Sequence, residues 1–96
     1  VEPNPKKVEG INAGRSPIVE PGLDELIATT VNSGAFRATS DWRDAIAQSD
    51  MALVCVGTPS RSNGSIDLGY VRRVCEQIGQ ALRGRTTFFT VVIRST

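Results

Sequence analysis

The sequence predicts an α/β fold built around a parallel sheet. The first indication is an uninterrupted apolar run, Met51–Val56, which stops at Gly57-Thr58-Pro59. An apolar run of this length, bounded by Gly and Pro, suits a strand buried on both faces in a sheet that helices cover. The second indication is the alternation of helical and strand patterns along the chain, which favours a doubly wound parallel sheet.

Length and composition are those of one small globular domain. The chain has 96 residues, of which 40% are apolar and 22% are charged, an ordinary balance for a globular protein. Its net charge of +1 offers no electrostatic attraction for nucleic acid or an anionic membrane, so we expect neither as a partner. Because strand patterns reach both termini, we expect these residues to be an excerpt of a larger protein.

The first half of the chain predicts a strand end, two helices and a short strand. Asn4 is a good N-cap, Pro5 suits the first helical position, and Gly14 is a helix stop. Residues 15–22 form a proline-stiffened loop, which we expect to pack on a neighbouring segment. In order, the predicted elements are the strand end Val1-Glu2, a helix over 6–13, a helix over 23–31 and a strand over 35–39.

The second half predicts a β-α-β unit. Asp67 is the expected cap of the strongest helical pattern in the chain, which runs to about Leu82 with one continuous apolar stripe. Two strands flank this helix, and a parallel pair requires such a crossover. In order, the predicted elements are a helix over 42–48, a strand over 51–56, a helix over 67–82 and a strand over 86–93.

The two cysteines and the absence of histidine limit the chemistry available. Cys55 and Cys75 each lie within an apolar pattern, so we expect buried thiols of a cytosolic protein rather than a disulfide or metal pair. The chain has no His and no nucleophile beside a base. We therefore expect no metal site and no catalytic residue within these 96 residues.

Polar residues follow three of the predicted strands. Because the carboxyl ends of parallel strands meet at one edge of a sheet, Glu2, Thr58 and Thr96 should lie along that edge, here called the carboxyl edge. A dinucleotide binds at this edge in open α/β sheets. Thr58 has a hydroxyl beside Gly57, whose backbone a ligand can approach closely. The alternative for Thr58 is an ordinary turn after the strand. Thr96 is the last residue of the chain, and by itself it is not evidence for a binding site.

Glu2 and Lys7 flank the start of the first helix. A carboxylate at the tip of a second strand accepts hydrogen bonds from the adenosine ribose and repels a 2′-phosphate, which would favour NAD over NADP. Lys7 could neutralise cofactor phosphate. The alternative, which is the commoner case for such positions, is that both residues are solvated surface charges. A Gly-rich turn about 20 residues upstream would identify Glu2 as a ribose-binding residue in such a fold. That position lies before Val1.

Three stretches resemble one family, the nucleotide-sugar 6-dehydrogenases, also named the UDP-glucose/GDP-mannose dehydrogenases. Together they run through most of the chain, and their order is highly specific. Within the family the pattern is most similar to the members that oxidise GDP-mannose, with those acting on UDP-glucose as the alternative. The stretches are Asn12–Leu23, Val56–Ser60 followed by Asn63–Tyr70, and Val92–Thr96.

The resemblance implies a partial Rossmann fold that lacks its first strand and Gly-rich turn, part of an N-terminal NAD-binding domain. It implies oxidation of a sugar C6 alcohol to a carboxylate by two NAD molecules, through a thiohemiacetal on a cysteine outside this chain. Glu2 stands where the family usually has a ribose-binding Asp. Lys7, Thr58 and Thr96 match cofactor-contacting residues, and that last threonine also helps to position a water.

The resemblance also implies partners and a compartment. A nucleotide sugar, GDP-mannose or UDP-glucose, would bind mainly to domains outside these residues in a cytoplasmic homodimer or higher homo-oligomer. Two other functions remain open: a nucleotide-binding module without chemistry of its own, and an interaction domain whose carboxyl edge is unused. A catalytic cysteine far downstream would separate the enzyme from the module.

Overall fold

The computed structural model describes residues 1–95, which fall into two compact units. The first unit is Val1–Asp41 and the second begins at Trp42. The first contains two helices, and the second contains two helices and two strands. The elements are α1 (Pro5–Asn12), α2 (Leu23–Asn32), α3 (Trp42–Ala47), β1 (Met51–Val54), α4 (Gly69–Ala81) and β2 (Thr90–Ile93).

Helix α1 begins and ends as its sequence predicts. The side chain of Asn4 accepts a hydrogen bond from the Lys6 N–H at 3.0 Å, and proline occupies the first helical position. At the other end Gly14 adopts a φ of 84°, and the Arg15 N–H donates to the Gly10 carbonyl at 2.9 Å. This left-handed glycine with its backward hydrogen bond is a Schellman ending, which satisfies carbonyls that the helix leaves unpaired.

The strand predicted over residues 35–39 is wrong. The side-chain amide of Asn12 donates to the Ala38 carbonyl at 2.9 Å and accepts from the Ala38 N–H at 2.8 Å. Both backbone groups of Ala38 are therefore bonded to a side chain and not to a neighbouring strand. The Glu2 N–H donates to the Thr39 carbonyl at 3.0 Å. One such bond is too few for a ladder, so the strand end predicted at Val1-Glu2 is also not formed.

The proline-rich loop over residues 15–22 is hydrogen-bonded near its start, and its tip is exposed. The Asp24 carboxylate accepts the Ser16 N–H at 2.7 Å, and the Ser16 hydroxyl donates to the Ile18 carbonyl at 2.6 Å. The predicted packing of its apolar pair is wrong, since Ile18 is 58% exposed and Val19 is fully exposed. These hydrogen bonds hold the loop to the start of α2 without burying its tip.

The predicted β-α-β unit is confirmed in the second unit. Strands β1 and β2 pair in parallel, with Met51 opposite Thr90 and Val54 opposite Ile93, and α4 forms the crossover between them. The Asp67 carboxylate accepts the Gly69 N–H at 2.8 Å and so closes the start of α4. Both strands are shorter than the sequence predicts.

The core of the second unit lies on one face of β1. Val54, Ile46 of α3 and Ile78 of α4 are buried, with Val54 only 4% exposed. Met51 and Leu53 point to the opposite face, and each is 60% exposed. The prediction of burial on both faces is therefore wrong. Strand side chains alternate between faces, and within residues 42–95 the packed helices cover one face only.

The two thiols are exposed rather than buried, which corrects the sequence interpretation. Cys55 follows the alternation of β1 and lies on the same side as Met51 and Leu53. Cys75 lies next to Val74 on α4, about 100° around the helix axis from it. Val74 packs against the core, and that rotation takes Cys75 away from the packed stripe.

Candidate functional site

Glu2 is held just ahead of α1. It is half-buried, and its Oε1 accepts the Asn4 N–H at 3.1 Å while its own N–H donates to the Thr39 carbonyl. The carboxylate therefore lies beside a helix N-terminus, where negative charge is favoured. Its second oxygen accepts no hydrogen bond from residues 1–95. An anchored carboxylate with one open acceptor can bind a hydroxyl pair.

Lys7 is the third residue of α1 and is exposed. Its ammonium forms no ion pair with Glu2 or with another carboxylate of the described residues. The structure thus brings Glu2 and Lys7 to the same helix start, one on either side of the N-cap Asn4. This pair offers an acceptor for hydroxyl groups and a cation for a phosphate.

Thr58 follows β1 in the second unit and is half-buried. The backbone before it is open, because a Cβ added at Gly57 would meet no atom within 4 Å. After it the chain turns back on itself, and the Asp67 N–H donates to the Pro59 carbonyl at 2.8 Å. The polar turn over residues 60–65 is exposed.

Ser95 is a residue of this region that the sequence interpretation left out. Its hydroxyl donates to the Val56 carbonyl at 2.7 Å, and the Arg94 N–H donates to the Val54 carbonyl at 2.8 Å. These bonds extend the contact between the two strands beyond β2 and fix the backbone two residues before Thr58. The predicted parallel pairing of the two strands could have indicated this role of Ser95, since it places the residues after β2 beside those after β1.

The predicted site residues are therefore placed in two groups. Glu2 and Lys7 belong to the first unit, and Thr58 lies at the carboxyl end of β1 in the second. Thr96 lies outside the described residues. That these groups line one carboxyl edge stays a prediction. Within residues 1–95 no helix is long and apolar enough to cross a membrane.

The chain matches one known protein family over its whole length. Residues 1–96 match the model of the UDP-glucose/GDP-mannose dehydrogenase family, NAD binding domain. The chain belongs to this family. Its cofactor is NAD, and the resemblance predicted from the three sequence stretches is confirmed together with the Rossmann-type fold class.

Individual members of the UDP-glucose/GDP-mannose dehydrogenase family are similar over almost the whole chain. GDP-mannose 6-dehydrogenase of Pseudomonas savastanoi pv. phaseolicola is 48% identical over 90 residues, which are 94% of this chain and 20% of that protein. UDP-glucose 6-dehydrogenase of Rhizobium meliloti is 42% identical over 94 residues, 97% of this chain and 21% of that protein.

A solved structure shows the same chain path. It is the crystal structure of a ternary complex of GDP-mannose dehydrogenase from Pseudomonas aeruginosa, with a TM-score of 0.97 and 46% identity over 100% of this chain and 22% of that one. The chain therefore spans about a fifth of the length of the curated relatives it matches.

Proposed function

We propose that the protein containing this chain oxidises GDP-mannose to GDP-mannuronate, a precursor of an alginate-type exopolysaccharide. The observation that carries the proposal is the 48% identity with a GDP-mannose 6-dehydrogenase over 94% of the chain. Residues 1–96 would supply part of an N-terminal NAD-binding domain. The nucleotide sugar would bind mainly to other parts of a cytoplasmic homodimer or higher homo-oligomer.

The stoichiometry follows from the change at C6. Converting a primary alcohol to a carboxylate removes two hydrides and adds the oxygen of one water, with release of three protons at neutral pH. When bound, NAD supplies the hydride acceptor, so each sugar requires two NAD molecules. The contribution of this chain is to bind and orient that acceptor.

The groups at the start of α1 fit the adenosine half of NAD. Glu2 has one oxygen held by the Asn4 N–H, and its second oxygen can accept from the ribose hydroxyls. Glu is one methylene longer than the Asp usual in the family, and the bond to Asn4 fixes its direction. The ammonium of Lys7 would neutralise phosphate charge at the same place.

The end of β1 fits a second cofactor contact. The open backbone at Gly57 lets a ligand approach, and the Thr58 hydroxyl would face that ligand. The bond from Ser95 to the Val56 carbonyl would keep this segment in place. By its match to the family motif, Thr96 would be a further cofactor contact.

UDP-glucose is the second candidate substrate, because a UDP-glucose 6-dehydrogenase is 42% identical over 97% of the chain. The test is NAD reduction by the full-length protein with GDP-mannose and with UDP-glucose, followed by NADH absorbance. We expect two NADH per GDP-mannose consumed and slower reduction with UDP-glucose. Reduction with neither sugar while NAD still binds would leave the non-catalytic module as the function.

A further inference from the structure

The exposed turn over residues 60–65 comes after β1 and contains the dipeptide Asn63-Gly64. The Arg61 N–H donates to the Ser65 carbonyl at 2.6 Å, and the Gly64 N–H donates to the Arg61 carbonyl at 2.9 Å. Gly64 has a φ of 86°, and a Cβ added there would meet no atom of the described residues within 4 Å. The backbone therefore defines the turn, while Asn63 and Gly64 stay open to water.

The side-chain oxygen of Asn63 accepts two hydrogen bonds from Ser65. The Ser65 hydroxyl donates to Oδ1 at 2.7 Å, and the Ser65 N–H donates to it at 3.0 Å. Because a backbone N–H can only donate, it also determines which end of the amide is the oxygen. Two donors at this range stabilise the oxyanion that forms when a nucleophile attacks a carbonyl carbon. The turn thus activates the Cγ atom of Asn63 as an electrophile.

The nitrogen that would leave from Asn63 is unrestrained. Among residues 1–95 its Nδ2 makes no hydrogen bond. The adjacent nucleophile is the backbone nitrogen of Gly64, whose attack on Cγ closes a five-membered ring, and glycine has no side chain to hinder the approach. The hydrogen bond from this nitrogen to the Arg61 carbonyl has to open first, so the reaction begins with a local opening of the turn.

We propose that Asn63 is a site of spontaneous deamidation, which the turn promotes through the two donors of Ser65. The Gly64 nitrogen forms a bond to Cγ and loses its proton, and the Cγ–Nδ2 bond breaks with release of ammonia, which leaves a cyclic imide. Water then opens the imide at either carbonyl and gives aspartate or isoaspartate. The net change is one water consumed and one ammonia released. The modification goes beyond the proposed dehydrogenase function and uses no group that would bind NAD or the sugar.

Two other asparagines serve as internal comparisons. The Nδ2 of Asn12 donates to the Ala38 carbonyl at 2.9 Å, and its Oδ1 accepts from the Ala38 N–H at 2.8 Å. Both ends of that amide are held, and the next residue is Ala13 rather than glycine. Asn4 is followed by Pro5, which has no N–H to lose. Both residues should therefore remain asparagine while Asn63 reacts.

The test follows Asn63 in the full-length protein during incubation at neutral and at mildly alkaline pH. Peptide mapping by mass spectrometry measures aspartate and isoaspartate at position 63, with Asn4 and Asn12 as references. We expect conversion of Asn63 before either reference, and faster conversion at alkaline pH because the attacking nitrogen has to lose its proton. Asn63→Gln should stop the conversion, since the longer side chain closes a six-membered ring far more slowly.

Two variants separate the contribution of the turn from the reactivity of the dipeptide itself. Ser65→Ala removes the 2.7 Å donor, and Ser62→Ala, its matched control, removes an exposed hydroxyl that makes no hydrogen bond to Asn63. In the folded protein Ser65→Ala should slow the conversion about tenfold, the loss of one hydrogen bond to a charged group. Ser62→Ala should leave the rate unchanged. In guanidinium, where the turn is unfolded, all three forms should react at the same rate.

Two results would overturn the proposal. The first is no conversion of Asn63 in the folded protein, which would show that the turn protects the amide. The second is an equal or faster conversion in folded Ser65→Ala than in the wild type, which would show that the Ser65 donors do not promote the reaction. Neither result bears on the proposed dehydrogenase activity, which uses none of these residues.

Discussion

At the scale of single residues, the side chain of Arg85 joins three parts of the second unit. Its Nη1 donates to the Ile46 carbonyl at 3.2 Å, and its Nε donates to the Thr87 carbonyl at 3.3 Å. The guanidinium lies 4.9 Å from the centre of the Phe89 ring. It also pairs with Asp50 at 3.4 Å, but the Asp50 side chain is 99% exposed, and exposed ion pairs contribute little.

We therefore expect Arg85→Lys to destabilise the protein although it keeps the charge. Lysine lacks the planar fork that reaches two carbonyls, and the loss should be about 1–2 kcal/mol. Urea denaturation of the full-length protein measures it. The exposed Arg83→Lys is the control, and Asp50→Asn should also have little effect. A large loss from Asp50→Asn would show that the ion pair, not the carbonyl contacts, is the stabilising part.

Glu2 gives a prediction about cofactor choice. In Glu2→Gln the amide oxygen can still accept the Asn4 N–H, so the helix start is kept while the charge is lost. The KM for NAD should rise about tenfold, since a hydrogen bond to a charged acceptor is replaced by a neutral one. Discrimination against NADP should fall because the repulsion of its 2′-phosphate is gone.

The matched control for this experiment is Glu9→Gln, which removes an exposed carboxylate from α1. Steady-state kinetics with both cofactors would be compared for the two variants. An unchanged KM for NAD in Glu2→Gln, or the same rise in both variants, would show that Glu2 does not contact the ribose.

At the scale of elements, the helices follow from their sequence because their ends are local events. Asn4, Pro5 and Gly14 determine the limits of α1 without help from distant residues. The prediction of a strand over residues 35–39 is wrong because hydrogen bonds at the end of this segment are made with distant residues. The backbone N–H and carbonyl of Ala38 bond to Asn12, which is 26 positions away, and no local pattern predicts such a distant side-chain contact.

The turn after α1 provides a test at this scale. Gly14 has a φ of +84°, and an added Cβ would lie 3.3 Å from the Ala28 Cα of α2. Gly14→Ala should therefore destabilise the protein by about 1–3 kcal/mol, the usual range for a strained backbone position. Gly79→Ala is the control, because Gly79 lies inside α4 with no atom within 4 Å of an added Cβ.

The control should change stability in the opposite direction. Alanine is favoured over glycine inside a helix by about 0.5–1 kcal/mol, so Gly79→Ala should stabilise the same protein. Thermal unfolding of both full-length variants measures the difference. Equal midpoints for Gly14→Ala and the wild type would mean that the turn relaxes to a different conformation.

At the scale of the whole molecule, the parallel β-α-β unit was predictable, whereas the burial of β1 was not. An apolar run shows that a strand avoids water, but only the surrounding elements decide whether one face or both are covered. The candidate site also has a part that the sequence predicts and a part that it does not. The strand patterns of the sequence point to Glu2 and Thr58, although no strand forms before Glu2. The bond from Ser95 to the Val56 carbonyl depends on the register of β2 against β1, which the sequence pattern does not give.

The same one-sided core predicts how the 96-residue chain behaves alone. Within residues 1–95 only Ile46, Val54 and Ile78 are buried apolar side chains, and the sheet has two strands, fewer than independent stability usually requires. We expect the isolated polypeptide to lose its circular dichroism gradually in urea, without a cooperative transition. The full-length protein is the control and should unfold cooperatively. A single sigmoidal transition of the isolated chain at low concentration would contradict the prediction, because it would show that these three side chains and one strand pair suffice for a folded monomer.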